Sequence, residues 1–271
     1  MKKPYRIILF SLIFMSFFTL NCKKDSNLNN IINIFSLQDD IKLGQQTVAQ
    51  IEADPANYPV LSEAQYPQAY VHLRSIRDKI LNTGLVNYTT ELEWSVKIIK
   101  RDDVVNAFAI PGGYMYFYTG LIKLLDNEAQ FAGVMAHEMV HVAHRHSTAQ
   151  LTKVYGVELL LSAVLGENPG VLAQIAAGLA SGLSSLAFSR VDENEADKFA
   201  VKYLYSTDYN ASSLADFFTK LGTQSSVPAF LSTHPSPDNR IQNINDEWQS
   251  LGGQTGELYI AEYQQFKNSL P

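Results

Sequence analysis

Residues 91–98 alternate with a period of two: Leu92, Trp94, Val96 and Ile98 are apolar, whereas Glu91, Glu93, Ser95 and Lys97 are polar. That period turns one face of a strand inward and leaves the other wet. Arg101-Asp102-Asp103 supplies a turn, and residues 104–110 and 114–118 read as two more strands flanking Pro111-Gly112-Gly113. A small antiparallel sheet is therefore predicted. Elsewhere the period lengthens to that of a helix. Ala69, Leu73, Ile76 and Ile80 share one helical face, Phe131, Val134, Met135 and Val142 another, and Ile241, Ile244, Trp248 and Leu251 a third. Helices are also predicted over residues 38–50 and 190–205, and Asp126-Asn127-Glu128 offers an N-cap and an acidic first turn to the helix carrying Phe131. His72, alone on a polar flank, reads as a solvated side chain. The Ala-, Gly- and Leu-rich stretch 157–188 is broken by Glu167-Asn168-Pro169-Gly170, and neither half is long enough to span a bilayer. Buried or membrane-touching helices fit it better. The pattern as a whole is α+β and mainly α, without an internal repeat.

The amino terminus obeys a different rule. Lys2, Lys3 and Arg6 precede an unbroken apolar run over residues 7–18, the build of an export signal. Cys22, the only cysteine, follows at once in Thr19-Leu20-Asn21-Cys22, an arrangement that resembles a bacterial lipoprotein signal cut before an acylated Cys22. Simple secretion and an uncleaved anchor are the alternatives. With Cys22 acylated no disulfide can form, so stability must come from packing. Residues 23–37 are polar and Asn-rich, which suits a tether. The expected organisation is thus a signal peptide over 1–21, a flexible tether over 22–37 and one folded domain over 38–271. A composition of 46% hydrophobic and 18% charged residues is ordinary for such a domain. A net charge of -6, with Lys and Arg scattered, leaves no basic surface for phosphates and excludes nucleic acid as a partner.

The chemistry concentrates in His137-Glu138-Met139-Val140-His141, an HExxH inside a predicted helix. Residues four apart project from one face, so both imidazoles can reach one ion while Glu138 beside them accepts a proton from water. A catalytic zinc needs a third protein ligand and an open fourth position. His144 lies on the same face, but three histidines strung along one straight helix do not converge on a tetrahedral ion. A metzincin would need Gly at position 144 and His at 147, where this chain has His144 and Ser147. Ser189-Arg190-Val191-Asp192-Glu193-Asn194-Glu195-Ala196-Asp197 is the remaining source: Glu193 and Asp197 share a face, one suited to face the cation and the other to accept an N–H from a ligating histidine. The same segment also reads as an acidic helix start that favours the helix dipole, with Glu195 pointing away into solvent. Gly112 and Gly113 read as a turn or bulge, or as bare backbone where a substrate passes close by.

The HExxH with Val142, Arg145 and His146 after it, the Ser-Arg and ExxxD segment, Asn106-Ala107-Phe108-Ala109-Ile110-Pro111-Gly112-Gly113 with Thr119-Gly120-Leu121, and Thr233-His234-Pro235 with Arg240-Ile241 occur here in order. Together they resemble the HtpX/BepA/LoiP group of gluzincin metallopeptidases, relatives of the CAAX prenyl endopeptidases. The resemblance implies a zincin-like metallopeptidase domain, one Zn2+ per chain on His137, His141 and Glu193, and hydrolysis of polypeptides. It further implies that His234 stabilises the oxyanion of the tetrahedral intermediate; on chemistry alone His234 is equally a loop histidine, or a fourth ligand that closes the site at rest. Gly112 and Gly113 are expected to line the substrate, and Arg240 to anchor the His234 loop to an acidic partner. The chain looks like the short, periplasm-facing lipoprotein type, held on the outer membrane through Cys22 and acting on unfolded or misassembled envelope proteins. A latent or non-hydrolytic, chaperone-like zinc lipoprotein is the rival expectation.

Overall fold

The computed structural model describes residues 33–181, 187–224, 228–236 and 238–271; the signal segment, Cys22 and Pro237 lie outside them. The sheet has three strands, β1 (Ser95–Ile99), β2 (Ala107–Ile110) and β3 (Tyr114–Tyr118), in the order β1-β3-β2. β2 and β3 pair antiparallel, as predicted, but β1 runs parallel to β3, so the sheet is mixed rather than antiparallel. The turn after β1 reverses the chain and steps over one strand width. β3 fills the gap, and β2 becomes an edge. β1 is shorter than the alternation suggests, because Trp94 takes a left-handed φ of 45° that interrupts the extended run.

Gly112 and Gly113 make the β2–β3 turn with φ of 86° and 92°, and both are buried. Their carbonyls accept from the amides of Glu93 (3.0 Å) and Ser95 (2.8 Å), and a Cβ on Gly113 would come within 2.8 Å of the Trp94 amide nitrogen. Both glycines are packed against their own chain and serve the turn.

Twelve helices occur among the described residues. α1 (Leu37–Glu52) opens with a Ser36–Asp39 capping box, and α2 (Pro67–Leu81) starts on a proline. α3 (Thr119–Leu124) leads into α4 (Glu128–Ala143), capped by the Asn127 side chain accepting from the Gln130 amide. Every residue of α4 is buried, since α2, β2, α8 and α9 surround it. α5 (His146–Tyr155), α6 (Val157–Val164) and α7 (Pro169–Ser181) follow, then α8 (Arg190–Tyr205), α9 (Ser213–Gly222), α10 (Phe230–Thr233), α11 (Arg240–Ser250) and α12 (Ile260–Asn268). Sequence reading did not anticipate α3, α5, α9, α10 or α12; α12 buries only Tyr263 and Phe266, too few positions to show a period. No helix among the described residues is long and apolar enough to cross a membrane.

Two contacts revise the reading of single positions. His72 lies 2.9 Å from Glu128 and stacks on Phe266, so it is paired rather than merely solvated. The folded body also begins before residue 38. Phe35 is buried with Leu43 of α1, Leu151 of α5 and Leu160 of α6, and Asn33 donates to the Thr148 hydroxyl at 2.9 Å.

Gly113→Ala combines a forbidden φ with a backbone collision and should cost at least about 2 kcal/mol of unfolding free energy. Gly84→Ala, at a φ of 72° with open space around it, should cost less, about 1 kcal/mol. Urea titration of both variants checks the order.

Candidate metal centre

α4 and α8 pack closely against each other in the core, and α8 starts where Ser189 and Asp192 form a capping box that fixes its register. The i, i+4 spacing then aligns His137 with His141 on one helix and Glu193 with Asp197 on the other. His137 Nε2 lies 3.1 Å from His141 Nε2, Glu193 Oε2 lies 3.6 Å from His137 Nε2, and Glu193 Oε1 lies 3.4 Å from His141 Nε2. All three side chains are buried. Ligand atoms held at 2.0–2.1 Å by a tetrahedral zinc are about 3.3 Å apart, so these edges match that polyhedron. His137 Nδ1 faces Asp197 Oδ1 at 2.9 Å; a carboxylate only accepts, so the proton sits on Nδ1 and Nε2 presents a bare lone pair. That bare nitrogen, a second imidazole nitrogen and a carboxylate drawn this close together form a donor set that suits a cation.

The late loop closes the cluster. His234 caps α10, donates its amide to the Phe230 carbonyl and stacks on the Phe230 ring at 4.3 Å. Its Nδ1 lies 3.2 Å from His137 Nε2 and 3.0 Å from Glu193 Oε1, and its Nε2 lies 3.3 Å from Glu138 Oε1. His137, His141, Glu193 and His234 thus offer four ligand atoms within 4.8 Å of one another. Arg240, at the start of α11, grips Asp197 through two 2.7 Å hydrogen bonds, reaches Glu193 Oε2 at 3.0 Å and lies flat on Phe218. Its acidic partners are Asp197, which holds His137, and Glu193 of the ligand set itself. Phe188 stacks on His141 at 3.8 Å, a contact that sequence reading missed.

Burial sets the charges. It pushes the Glu138 carboxyl above its ordinary value against the pull of His234 and His137, as suits a group that must take and return a proton. It pushes His141 well below the usual imidazole value, leaving a neutral ligand. At Glu193 burial acts upward, but His234 and His141 outweigh it and hold the carboxyl well below its usual range. Glu195, read from the sequence as solvated, instead accepts from His144 at 3.1 Å and His146 at 3.3 Å. β2 runs alongside, its outer edge paired by no strand among the described residues, and Phe108, Ile110, Pro111, Leu179, Phe188 and His234 help enclose a cavity of about 30 Å³.

Residues 67–248 match the model of peptidase family M48. The chain belongs to this family. Peptidases of the family use zinc, and the ligand set described above fits one such ion. The chain is 32% identical over 212 residues to a putative beta-barrel assembly-enhancing protease of Vibrio cholerae, covering 68% of this chain and 43% of the relative. It is 31% identical over 169 residues to the mitochondrial metalloendopeptidase OMA1 of Schizosaccharomyces pombe, covering 60% and 49%, and 26% identical over 201 residues to the metalloprotease YcaL of Escherichia coli, covering 72% and 75%. It therefore spans less than half of the Vibrio and Schizosaccharomyces proteins.

Asp197→Ala frees the tautomer of His137 and strands Arg240, and should weaken zinc binding about 10–100-fold. His137→Ala and Glu193→Ala should abolish stoichiometric zinc. Metal analysis after dialysis against a graded chelator separates the two classes.

Proposed function

We propose that the chain is a zinc-dependent endopeptidase of the bacterial cell envelope, acting on unfolded or misassembled envelope proteins and closed at rest by His234. The convergence of His137, His141 and Glu193 with Glu138 beside them carries this reading. His137, His141 and Glu193 would hold a zinc ion, which when bound would supply Lewis acidity toward a carbonyl and a water. Glu138, raised by burial, takes the proton of that water and passes it to the leaving amine. Asp197 and Arg240 keep His137 and Glu193 in place through the step. The unpaired edge of β2 offers main-chain hydrogen bonds to any extended polypeptide, which favours unfolded chains over a particular sequence. The name of the Vibrio relative, a beta-barrel assembly-enhancing protease, points to the same substrate class.

In the described geometry His234 stands where a fourth ligand would stand. Substrate entry then requires the His234 loop to withdraw, after which the imidazole is close enough to steady the oxyanion. The rival reading, a chaperone-like lipoprotein with a structural zinc, explains the fourth ligand but gives no role to a buried Glu138. Membrane attachment through Cys22 is part of the proposal. Val157, Leu161 and Leu165 on and beside α6 are exposed, and an apolar face of this kind suits contact with a bilayer.

Glu138→Gln should retain zinc while cleavage of denatured casein falls about 10²–10⁴-fold; undiminished cleavage by the zinc-loaded variant overturns the mechanism. In His234→Ala, zinc-replete, hydroxamate association should quicken while turnover falls about 10²-fold or more, and no change in either removes His234 from both roles. Cys22→Ser should move the protein from the membrane fraction to the soluble one, and continued sedimentation with membranes overturns the anchor.

A further inference from the structure

His141 has no carboxylate of its own to fix its tautomer. His137 gives its Nδ1–H to Asp197, whereas the atom facing Nδ1 of His141 is another imidazole nitrogen, Nδ1 of His146, at 2.9 Å. One member of that pair must donate. Nε2 of His141 is bare, and able to ligate, only if the donor is His141. The tie is broken on the far side of His146, whose Nε2 lies 3.3 Å from Oε2 of Glu195. A carboxylate accepts and cannot donate, so the His146 proton sits on Nε2, its Nδ1 is left bare, and that nitrogen accepts from Nδ1–H of His141. His144 donates to the other Glu195 oxygen at 3.1 Å and keeps the carboxylate turned toward the pair.

The backbone is shaped for this contact. α4 ends at Ala143, Arg145 takes a left-handed conformation (φ 58°, ψ 35°), and α5 begins at His146, so the chain folds back and sets the His146 ring 4.9 Å from that of His141. A left-handed arginine is unfavourable by itself. It is held by a bidentate pair with Asp40 of α1 (2.6 and 3.0 Å) and by donation to the Phe35 carbonyl at 2.6 Å.

We propose that His146 and Glu195 are positioning residues that lock His141 in the tautomer able to bind zinc, as Asp197 locks His137. The proposal rests on the zinc-site reading above, but its test is metal affinity, which is measured without catalysis. The same geometry rules against a rival use of these groups. His144, His146 and Glu195 also place ligand atoms within 4.8 Å of one another, yet an ion on Nε2 of His146 would move that proton to Nδ1 and force the proton of His141 onto Nε2, shutting the first site. One tight zinc per chain is therefore expected, with no second ion alongside it.

Zinc affinity of the full chain is to be measured by competition with a chromogenic chelator at neutral pH. His146→Phe keeps a ring but no acceptor and should weaken zinc binding about 10–100-fold. His146→Asn places an amide oxygen where Nδ1 stood and should recover affinity to within a few-fold of the parent. Glu195→Ala, which leaves the His146 tautomer unassigned, should lose about tenfold and keeps the test open if His146→Phe does not fold. Parent-like affinity in His146→Phe or in Glu195→Ala, no recovery in His146→Asn, or a second tight zinc that Glu195→Ala removes would each overturn the proposal. A parent that binds one zinc tightly and cleaves nothing would sink the peptidase reading and leave this one standing.

Discussion

A carboxylate buried as completely as that of Glu193 stays ionised only if positive charge and polarised N–H groups surround it, because removal from water otherwise costs several kcal/mol. The whole site follows from that constraint. Glu193 and Asp197 stand one turn apart in the core, and their mutual repulsion is tolerable because Arg240 bridges them from below while the imidazoles of His137, His141 and His234 crowd from above. Arg240 lies at the head of α11 and His234 at the tail of α10, so charge compensation fastens the carboxy-terminal helices to the α4–α8 pair.

The two halves of the site differ in stiffness for the same reason. His137, His141 and Glu193 project from long helices embedded in the main core, and their positions are set by packing. His234 is carried on a four-residue helix and is buried between the Phe230 ring and its contacts with His137, Glu138 and Glu193. The other three ligands do not depend on that helix for their positions, so the proposed withdrawal of His234 would leave them assembled. β2 residues and His234 line the same cavity, so the proposed opening at the metal would also open the proposed substrate strand.

What sequence alone made legible was whatever is encoded by local spacing. HExxH and ExxxD each span one helical turn, so the register that places His137 beside His141 and Glu193 beside Asp197 is written in neighbouring residues. The early start of the body was legible too and was passed over: Ser36-Leu37-Gln38-Asp39 is a capping box that dates the first helix to Leu37. Strand order was not, since it depends on how far a turn steps sideways, and nothing between Ile99 and Ala107 records that. Nor was the His141–His146 contact, which needs a left-handed residue at Arg145, where no glycine or asparagine flags it. At Gly112 and Gly113 a tight turn and a close-passing ligand ask for the same missing side chain, so local sequence does not separate the two readings.

His137 and His234 are 97 residues apart in the chain yet 3.2 Å apart in space. An ion gripping both would act on the unfolded chain as a crosslink does, deleting the open conformations available to that long loop, a loss worth about 4–5 kcal/mol for an ideal covalent bridge of similar span. With a single cysteine the chain has no intramolecular disulfide to play this part. A His234 that closes the metal at rest, as proposed, would thereby also serve as the clasp of the fold, and each opening for substrate would trade conformational security for access.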